Sequence, residues 1–144
     1  MAVSKREFEQ IVSALKRDFE RIHAASEIPL SEAKLPRKPG VYMLFFEGAL
    51  QYVGYSENLH KRIRNNLLLG NEKSHILILK LCKLRENWDK YKARRFLESS
   101  AKIKFIEVDS VEKAKILEAI LIAIYKPYYN KPLKQLLKRE TKTP

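Results

Sequence analysis

Glu118 is the residue whose surroundings point most directly to chemistry. It interrupts an apolar run over residues 116–122, and Ile122 stands one helical turn later. A carboxylate among apolar neighbours is costly unless it is paired, hydrogen-bonded or bound to a metal. The alternative is a partly exposed surface position near Lys115. Spacing alone leaves both interpretations open.

Two tyrosines stand on either side of a turn, in short strand-like segments. The segments are Gly40-Val41-Tyr42 and Tyr52-Val53-Gly54. The apolar and turn residues between them predict a β-hairpin. A two-residue turn over 47–48 would place the tyrosines on opposite faces, whereas a three-residue turn over 46–48 would set them across from each other. We favour the three-residue turn, because glycine at its last position tolerates positive φ.

A basic helix is predicted after the hairpin, with Ser56 as its N-cap and its end at Gly70-Asn71. An apolar line at spacing four predicts the buried side of this helix, and it consists of Leu59, Ile63 and Leu67. A neighbouring polar face at the same spacing consists of Asn58, Arg62 and Asn66.

The composition indicates a single globular domain with a polyanionic partner. The chain has 144 residues, of which 45% are hydrophobic, and its net charge is +12. The single cysteine, Cys82, excludes an internal disulfide and a cysteine-rich zinc site. The charged N-terminus and the lack of a long apolar run favour a cytoplasmic, nucleoid-associated protein that is neither secreted nor membrane-bound.

The remaining pattern predicts an α+β fold. Its sheet is small, three-stranded and mixed or antiparallel, and it starts with the hairpin and is flanked by helices and an N-terminal helical extension. Helices are predicted over residues 4–25, 74–86, 88–99 and 111–125, and a strand over 102–108. We expect Ser74 to cap the second of these helices. Asp109 with Glu112 resembles a capping box for the last helix, which is apolar enough to be buried. The basic tail after residue 133 is expected to be frayed.

Taken together, these elements resemble the GIY-YIG endonuclease family. The resemblance is carried by Gly40-Val41-Tyr42, Tyr52-Val53-Gly54, Arg62, Glu118 and, after a Pro-Tyr-Tyr turn, Asn130. It covers residues 39–132, and it implies one nuclease domain over 1–144. In this division, 1–38 is the helix and linker, 39–133 the catalytic core and 134–144 the tail.

The resemblance implies hydrolysis of phosphodiester bonds in DNA, with one Mg²⁺ or Mn²⁺ per active site. Glu118 is then the metal ligand, and Arg62 stabilises the charge of the phosphate. Tyr52 is the favoured base that activates the attacking water, and Tyr42 has a positioning role. Asn130 orients the site through hydrogen bonds. The residues expected to contact the nucleic acid are Lys61, Arg62, Arg64 and Gly54.

Two positions depart from the family pattern. Many members have His or Tyr where this chain has Asn66, which cannot act as a base, and His75 is a candidate substitute or a packing residue. Members that resemble the excision-repair subunit have Lys where this chain has Tyr55, which weakens assignment to that branch.

Two other functions fit part of the pattern. A non-catalytic nucleic-acid-binding module on the same scaffold fits the charge and Asn66, and an RNA-directed protein fits the charge alone. The sequence does not disclose the DNA target. Recognition of DNA shape, use of the N-terminal helix and formation of a homodimer all stay open.

Overall fold

A four-stranded antiparallel sheet forms the centre of the fold, as the computed structural model shows for residues 4–70 and 74–142. The strand order is β1-β4-β2-β3, so β3 lies at an edge. The strands are β1 (Ile28–Pro29), β2 (Gly40–Phe46), β3 (Ala49–Ser56) and β4 (Lys102–Glu107). The α+β class is confirmed, and the two-residue β1 adds a fourth strand to the three that the sequence predicts.

Helices cover both faces of this sheet. The α-helices are α1 (Lys5–Ala24), α2 (Ile76–Leu84), α3 (Lys90–Ser100), α4 (Val111–Tyr125) and α5 (Leu133–Lys142). A π-helix spans Lys61–Leu67, and 3₁₀ turns span Leu30–Glu32 and Tyr128–Asn130. Within the described ranges, no helix is long and apolar enough to cross a membrane.

Alternation along the strands produces two separate cores. Tyr42, Leu44 and Tyr52 point to one face, where they pack with the π-helix, α2 and α3. Val41 and Val53 point to the other face, where they pack with α1 and α4. Strand β2 is therefore buried on both sides, which explains its nearly continuous apolar run.

The hairpin prediction is correct about the shared face of the two tyrosines but wrong about the turn and the register, because Tyr42 lies across from Gly54 rather than Tyr52. The turn has two residues, Glu47 and Gly48, with φ of 53° and 80°, as a type I′ turn requires. Beyond it the register shifts, because Leu44 pairs with Tyr52 while Phe45 pairs with Leu50. One residue of β3 is thus left without a partner, a β-bulge that returns Tyr52 to the face of Tyr42.

Three predicted helix starts differ by one or two residues. Asn58, rather than Ser56, caps the basic helix, since its Oδ1 accepts from the backbone N–H of Lys61. His75 rather than Ser74 caps α2, and Ser110 rather than Asp109 caps α4. The predicted end of the basic helix at Asn71 lies outside the described residues.

The last two helices also depart from expectation. Only one face of α4 is buried, through Ala114, Leu117 and Leu121, whereas Ile116 and Ile124 are exposed. The tail predicted to be frayed forms α5, because it has one apolar face whose central residue, Leu136, is fully buried.

A buried lysine ties α2 to the turn that follows α4. The ammonium group of Lys80 donates to the carbonyl oxygens of Tyr129 and Lys131, at 2.7 and 2.8 Å. Two carbonyl acceptors compensate the burial of a group that is costly to remove from water. The lysine thereby holds the two residues on either side of Asn130.

We expect Lys80→Met to lower the free energy of unfolding by about 1–3 kcal/mol, because it removes two hydrogen bonds from a charged donor. The measurement is urea denaturation followed by circular dichroism. Lys83→Met, on the exposed side of the same helix, is the matched control and should change the value by less than about 0.5 kcal/mol. Equal midpoints for both variants would contradict this role of Lys80.

Candidate functional site

A polar cleft of about 370 Å³ lies beside the edge strand β3. The π-helix contributes one wall and α4 contributes another, so the cleft joins the two layers of helices at the edge of the sheet. Six of the predicted site residues line it together, namely Tyr42, Tyr52, Gly54, Lys61, Arg62 and Glu118. The other residues of the lining are Tyr55, Ser56, Glu57, Asn58 and Asn66.

The Tyr42 side chain reaches the cleft by packing directly over Gly54. It pairs with Gly54 on the neighbouring strand, and a Cβ on Gly54 would overlap the Cζ and Oη atoms of the phenol. Gly54 lines the cleft, and its contact with nucleic acid stays a prediction. Its lack of a side chain is required by the path of the Tyr42 ring.

His75 supports Tyr42 from the core side of the cleft. Its Nε2 lies 2.7 Å from the Tyr42 hydroxyl, and its Nδ1 accepts from the backbone N–H of Leu77. Burial, with Arg62 and Lys80 nearby, holds the pKa of His75 well below its usual 6.5. The neutral ring therefore carries its proton on Nε2 and donates it to the Tyr42 oxygen.

Of the two tyrosines in the cleft, Tyr42 is therefore less available for proton transfer than Tyr52. Tyr42 is fully buried, and desolvation together with Tyr52 raises its pKa far above 10. His75 itself is only 1% exposed, and both of its ring nitrogens are engaged within the protein. The suggestion that His75 replaces the family's base at Asn66 is therefore not supported by the geometry.

Tyr52 stands closer to solvent, against Arg62. Desolvation raises its pKa to about 12, although the Arg62 charge and a hydrogen bond from that guanidinium oppose the rise. Its ring lies 6.2 Å from the ring of Tyr42. The cations of the protein alone thus leave Tyr52 protonated at neutral pH, and its ionisation needs further positive charge.

The π-helix presents Arg62 and Asn66 to the cleft. Its apolar line, Leu59, Ile63 and Leu67, is fully buried, as predicted. The helix has i→i+5 hydrogen bonds, such as the one from the Leu68 N–H to the Ile63 carbonyl at 3.1 Å. Its wider winding keeps side chains at spacing four close to one face.

One nitrogen of Arg62 is fixed, and the remainder of the guanidinium faces the cleft. Nη1 donates to the Ser74 carbonyl at 3.1 Å, and the guanidinium also interacts with both tyrosines. An arginine anchored in this way presents a fixed, planar set of donors, a geometry suited to a phosphate.

Glu118 points from α4 to the opposite wall of the cleft. Partial burial raises the pKa of its carboxyl, while a hydrogen bond from the Tyr55 backbone and the Arg62 charge oppose the rise. Among the described residues, no group of three His, Cys, Asp or Glu side chains could hold a metal. A partly desolvated carboxylate in an open polar cleft, which Glu57 also lines, still fits Mg²⁺, because this ion keeps several waters and often binds one carboxylate plus substrate phosphate.

Asn130 does not line the cleft, but it holds the strand that does. Its Oδ1 accepts from the Val53 N–H at 2.7 Å, and its Nδ2 donates to the Val53 carbonyl at 2.8 Å. The amide thereby satisfies both backbone groups on the free edge of β3. Because Val53 lies between Tyr52 and Gly54, this pairing fixes the strand on both sides of the cleft residues.

Arg64 is the predicted nucleic-acid contact that the structure places elsewhere. Its guanidinium donates to the Leu30 and Ala33 carbonyls, at 3.1 and 2.5 Å, and it does not line the cleft. The reason is that Arg64 lies two residues after Arg62 and so points to another side of the helix. Lys61, in contrast, is exposed and lines the cleft as predicted.

Comparisons with known proteins point to one group of relatives. The UvrABC system protein C of Bacteroides thetaiotaomicron is 37% identical over 105 residues, which are 71% of this chain and 14% of that protein. Its counterpart from Porphyromonas gingivalis is 36% identical over 101 residues, which are 69% of this chain and 14% of that protein. The chain therefore spans about one seventh of the length of these curated relatives.

A solved structure that resembles the chain is also a domain of UvrC. The GIY-YIG N-terminal endonuclease domain of UvrC from Thermotoga maritima, bound to magnesium, is 27% identical with a TM-score of 0.45, over 81% of this chain and 98% of that one. No protein-family model matches the chain. The curated relatives are UvrABC system protein C sequences, although Tyr55 was expected to weaken assignment to the excision-repair branch.

Gly54→Ala should lower the free energy of unfolding by about 1–3 kcal/mol, because the new methyl group overlaps the Tyr42 phenol and must displace it. Urea denaturation of the purified variant measures this effect. Gly48→Asn in the same hairpin is the control, since Gly48 has open space and asparagine tolerates positive φ. Unchanged stability of Gly54→Ala would contradict the role of this close approach.

Proposed function

The chain belongs to the GIY-YIG endonuclease superfamily, and we propose that it hydrolyses phosphodiester bonds in DNA with the help of one divalent cation. The observation that carries the proposal is the convergence of Arg62, Glu118 and two tyrosines in one cleft. These residues come from opposite layers of the fold and are far apart in sequence. A purely structural role would not require a carboxylate, a guanidinium and two phenols around an open space.

Glu118 is the residue that would hold the cation, Mg²⁺ or Mn²⁺. Its raised pKa reflects an incompletely compensated negative charge, which a hard divalent ion would satisfy. When bound, such an ion supplies Lewis-acid stabilisation of the departing 3′ oxygen and positive charge near the phenols.

Arg62 and Tyr52 would act on the phosphate and on the attacking water. The water oxygen forms a new bond to phosphorus, the bond from phosphorus to the 3′ oxygen breaks, and solvent protonates that oxygen. Tyr52, once ionised, accepts a proton from the water. Arg62 donates hydrogen bonds to phosphate oxygens as charge develops on them.

His75 acts as a positioning residue for Tyr42 in this proposal. Because His75 donates to the Tyr42 oxygen, the phenol must direct its own proton away from the histidine. Tyr42 can therefore donate a hydrogen bond towards the water or the phosphate without ionising. This division agrees with the different burial of the two tyrosines, since the more exposed Tyr52 is easier to ionise.

Glu118→Gln and Arg62→Lys should each lower Mg²⁺-dependent nicking of supercoiled plasmid at least about 100-fold, as loss of a transition-state contact does. Agarose-gel conversion of supercoiled to open-circular DNA measures the rate. Glu112→Gln, an exposed acid in the first turn of the same helix, is the matched control and should keep wild-type activity. If all four proteins nick equally, the assignment fails.

The nicking rate should rise about tenfold per pH unit between pH 7 and 9 if Tyr52 is the base. Its pKa of about 12 lies above this range, so the ionised fraction grows tenfold with each unit for as long as the charge of the cation leaves the pKa above this range. Tyr52→Phe should be slow and insensitive to pH. A wild-type rate that levels off near pH 6–7 would instead indicate an imidazole base, which would contradict both Tyr52 as the base and His75 as a positioning residue.

A non-catalytic nucleic-acid-binding module is the second candidate. Asn66 favours it, because this residue lines the cleft where many family members have a His or Tyr. That function predicts salt-sensitive DNA binding without Mg²⁺-dependent strand breaks. The nicking assay separates the two candidates. Homodimer formation and a cytoplasmic location stay predictions.

A further inference from the structure

A second pocket, separate from the cleft, surrounds a buried arginine. Its volume is about 470 Å³, and it lies between the residues that follow the π-helix and one side of α3. Its lining consists of Leu68, Leu69, Tyr91, Arg94, Arg95 and Glu98. None of these residues belongs to the site described above.

Arg94 is the unusual member of this pocket. The residue is only 9% exposed, and its Nε and Nη2 atoms are buried without a hydrogen-bond partner among the residues that the structure describes. A buried guanidinium nitrogen without an acceptor is destabilising, so the fold retains a costly charge at this position. Glu98 also lines the pocket, but among the described residues it forms no ion pair with Arg94 or Arg95.

The rest of the lining combines apolar surface with positive charge. Tyr91 is 61% exposed and Leu69 is 75% exposed, which is unusual for residues of this size. The two arginines outnumber Glu98, so the pocket has a net positive charge. Arginine beside an exposed aromatic ring is the combination with which proteins hold a nucleotide, by its phosphate and by stacking on its base.

The pocket also adjoins the helix that carries the catalytic arginine candidate. Arg62 and Asn66 line the cleft, and Leu68 and Leu69 follow directly after the end of the same helix. The Arg94 pocket therefore lies at the C-terminal end of the helix that carries Arg62. The net charge of +12 favours a polyanionic ligand over a positively charged or neutral one.

We propose that the Arg94 pocket binds a backbone phosphate of the DNA strand outside the cleft, with the adjoining base against Tyr91. This inference rests on the proposed function, since it assumes that DNA is the substrate. It assigns to the pocket a role in holding the strand and none in the chemical step. The phosphate supplies an acceptor to a guanidinium for which the described residues provide none at Nε and Nη2.

The test is fluorescence anisotropy with labelled duplex and single-stranded oligonucleotides, in EDTA and at several salt concentrations. Arg94→Met should weaken binding roughly tenfold and reduce the magnitude of the salt slope by about 1. Arg6→Met removes the same charge from an exposed position on α1 and should change affinity less than about twofold. Equal affinities for the two variants would overturn the proposal.

Two further measurements separate binding from folding. Arg94→Met should unfold at the same or a higher temperature than wild type, because it removes a buried unpaired charge. Arg95→Met, at an exposed position of the same pocket, should weaken DNA binding even if Arg94→Met fails to fold. If both variants weaken binding of poly-glutamate but not of DNA, the pocket takes a carboxylate partner and the proposal is wrong.

Absence of nicking would leave these binding measurements intact, because they are made without a divalent cation. A wild-type protein that nicks plasmid while Arg94→Met, Arg95→Met and Arg6→Met bind DNA equally well would overturn the pocket and keep the endonuclease. A protein that binds through Arg94 without nicking would overturn the endonuclease and keep the pocket.

Discussion

The pairing of the Asn130 amide with both backbone groups of Val53 is the interaction on which the site depends. Strand β3 lies at the edge of the sheet, and without this amide its outer N–H and carbonyl would lack a protein partner at that point. Lys80 fixes the turn that carries Asn130, by binding the carbonyls on either side of it. Tyr52 and Gly54 therefore keep their positions because a lysine in another layer holds an asparagine.

These contacts explain why polar residues that do not face the cleft still determine its geometry. His75 behind Tyr42, Lys80 below the turn and Asn130 at the strand edge each form two hydrogen bonds within the protein. They restrict the phenol, the turn and the strand to one arrangement. The groups that face the cleft can then remain incompletely satisfied, as the raised pKa values of Tyr52 and Glu118 indicate.

The sequence predicted those parts of the site that follow from local periodicity. Spacing of four along the basic segment placed Arg62 and Asn66 on one face, and an acid inside an apolar helix identified Glu118 as a residue of interest. Other features depend on contacts that are distant in sequence and leave no local signal. The hydrogen bond from His75 to Tyr42 joins residues that are 33 positions apart. Which face of α4 is exposed depends on the sheet and α1, which pack on its other face. Arg94 was not identified either, because a basic residue in a charged helix resembles a surface position until its burial is known.

The bulge in β3 makes the number of residues in the hairpin more important than their identity. Between the turn and Tyr52 stand Ala49, Leu50 and Gln51, and their number decides which face of the sheet the tyrosine occupies. Substitutions in this segment do not change the number of residues, whereas loss of a single residue would turn Tyr52 to the opposite face of the sheet. Variation among proteins that share this site is therefore constrained in length here, and an alignment gap of one residue would be a stronger sign of lost function than several exchanged side chains.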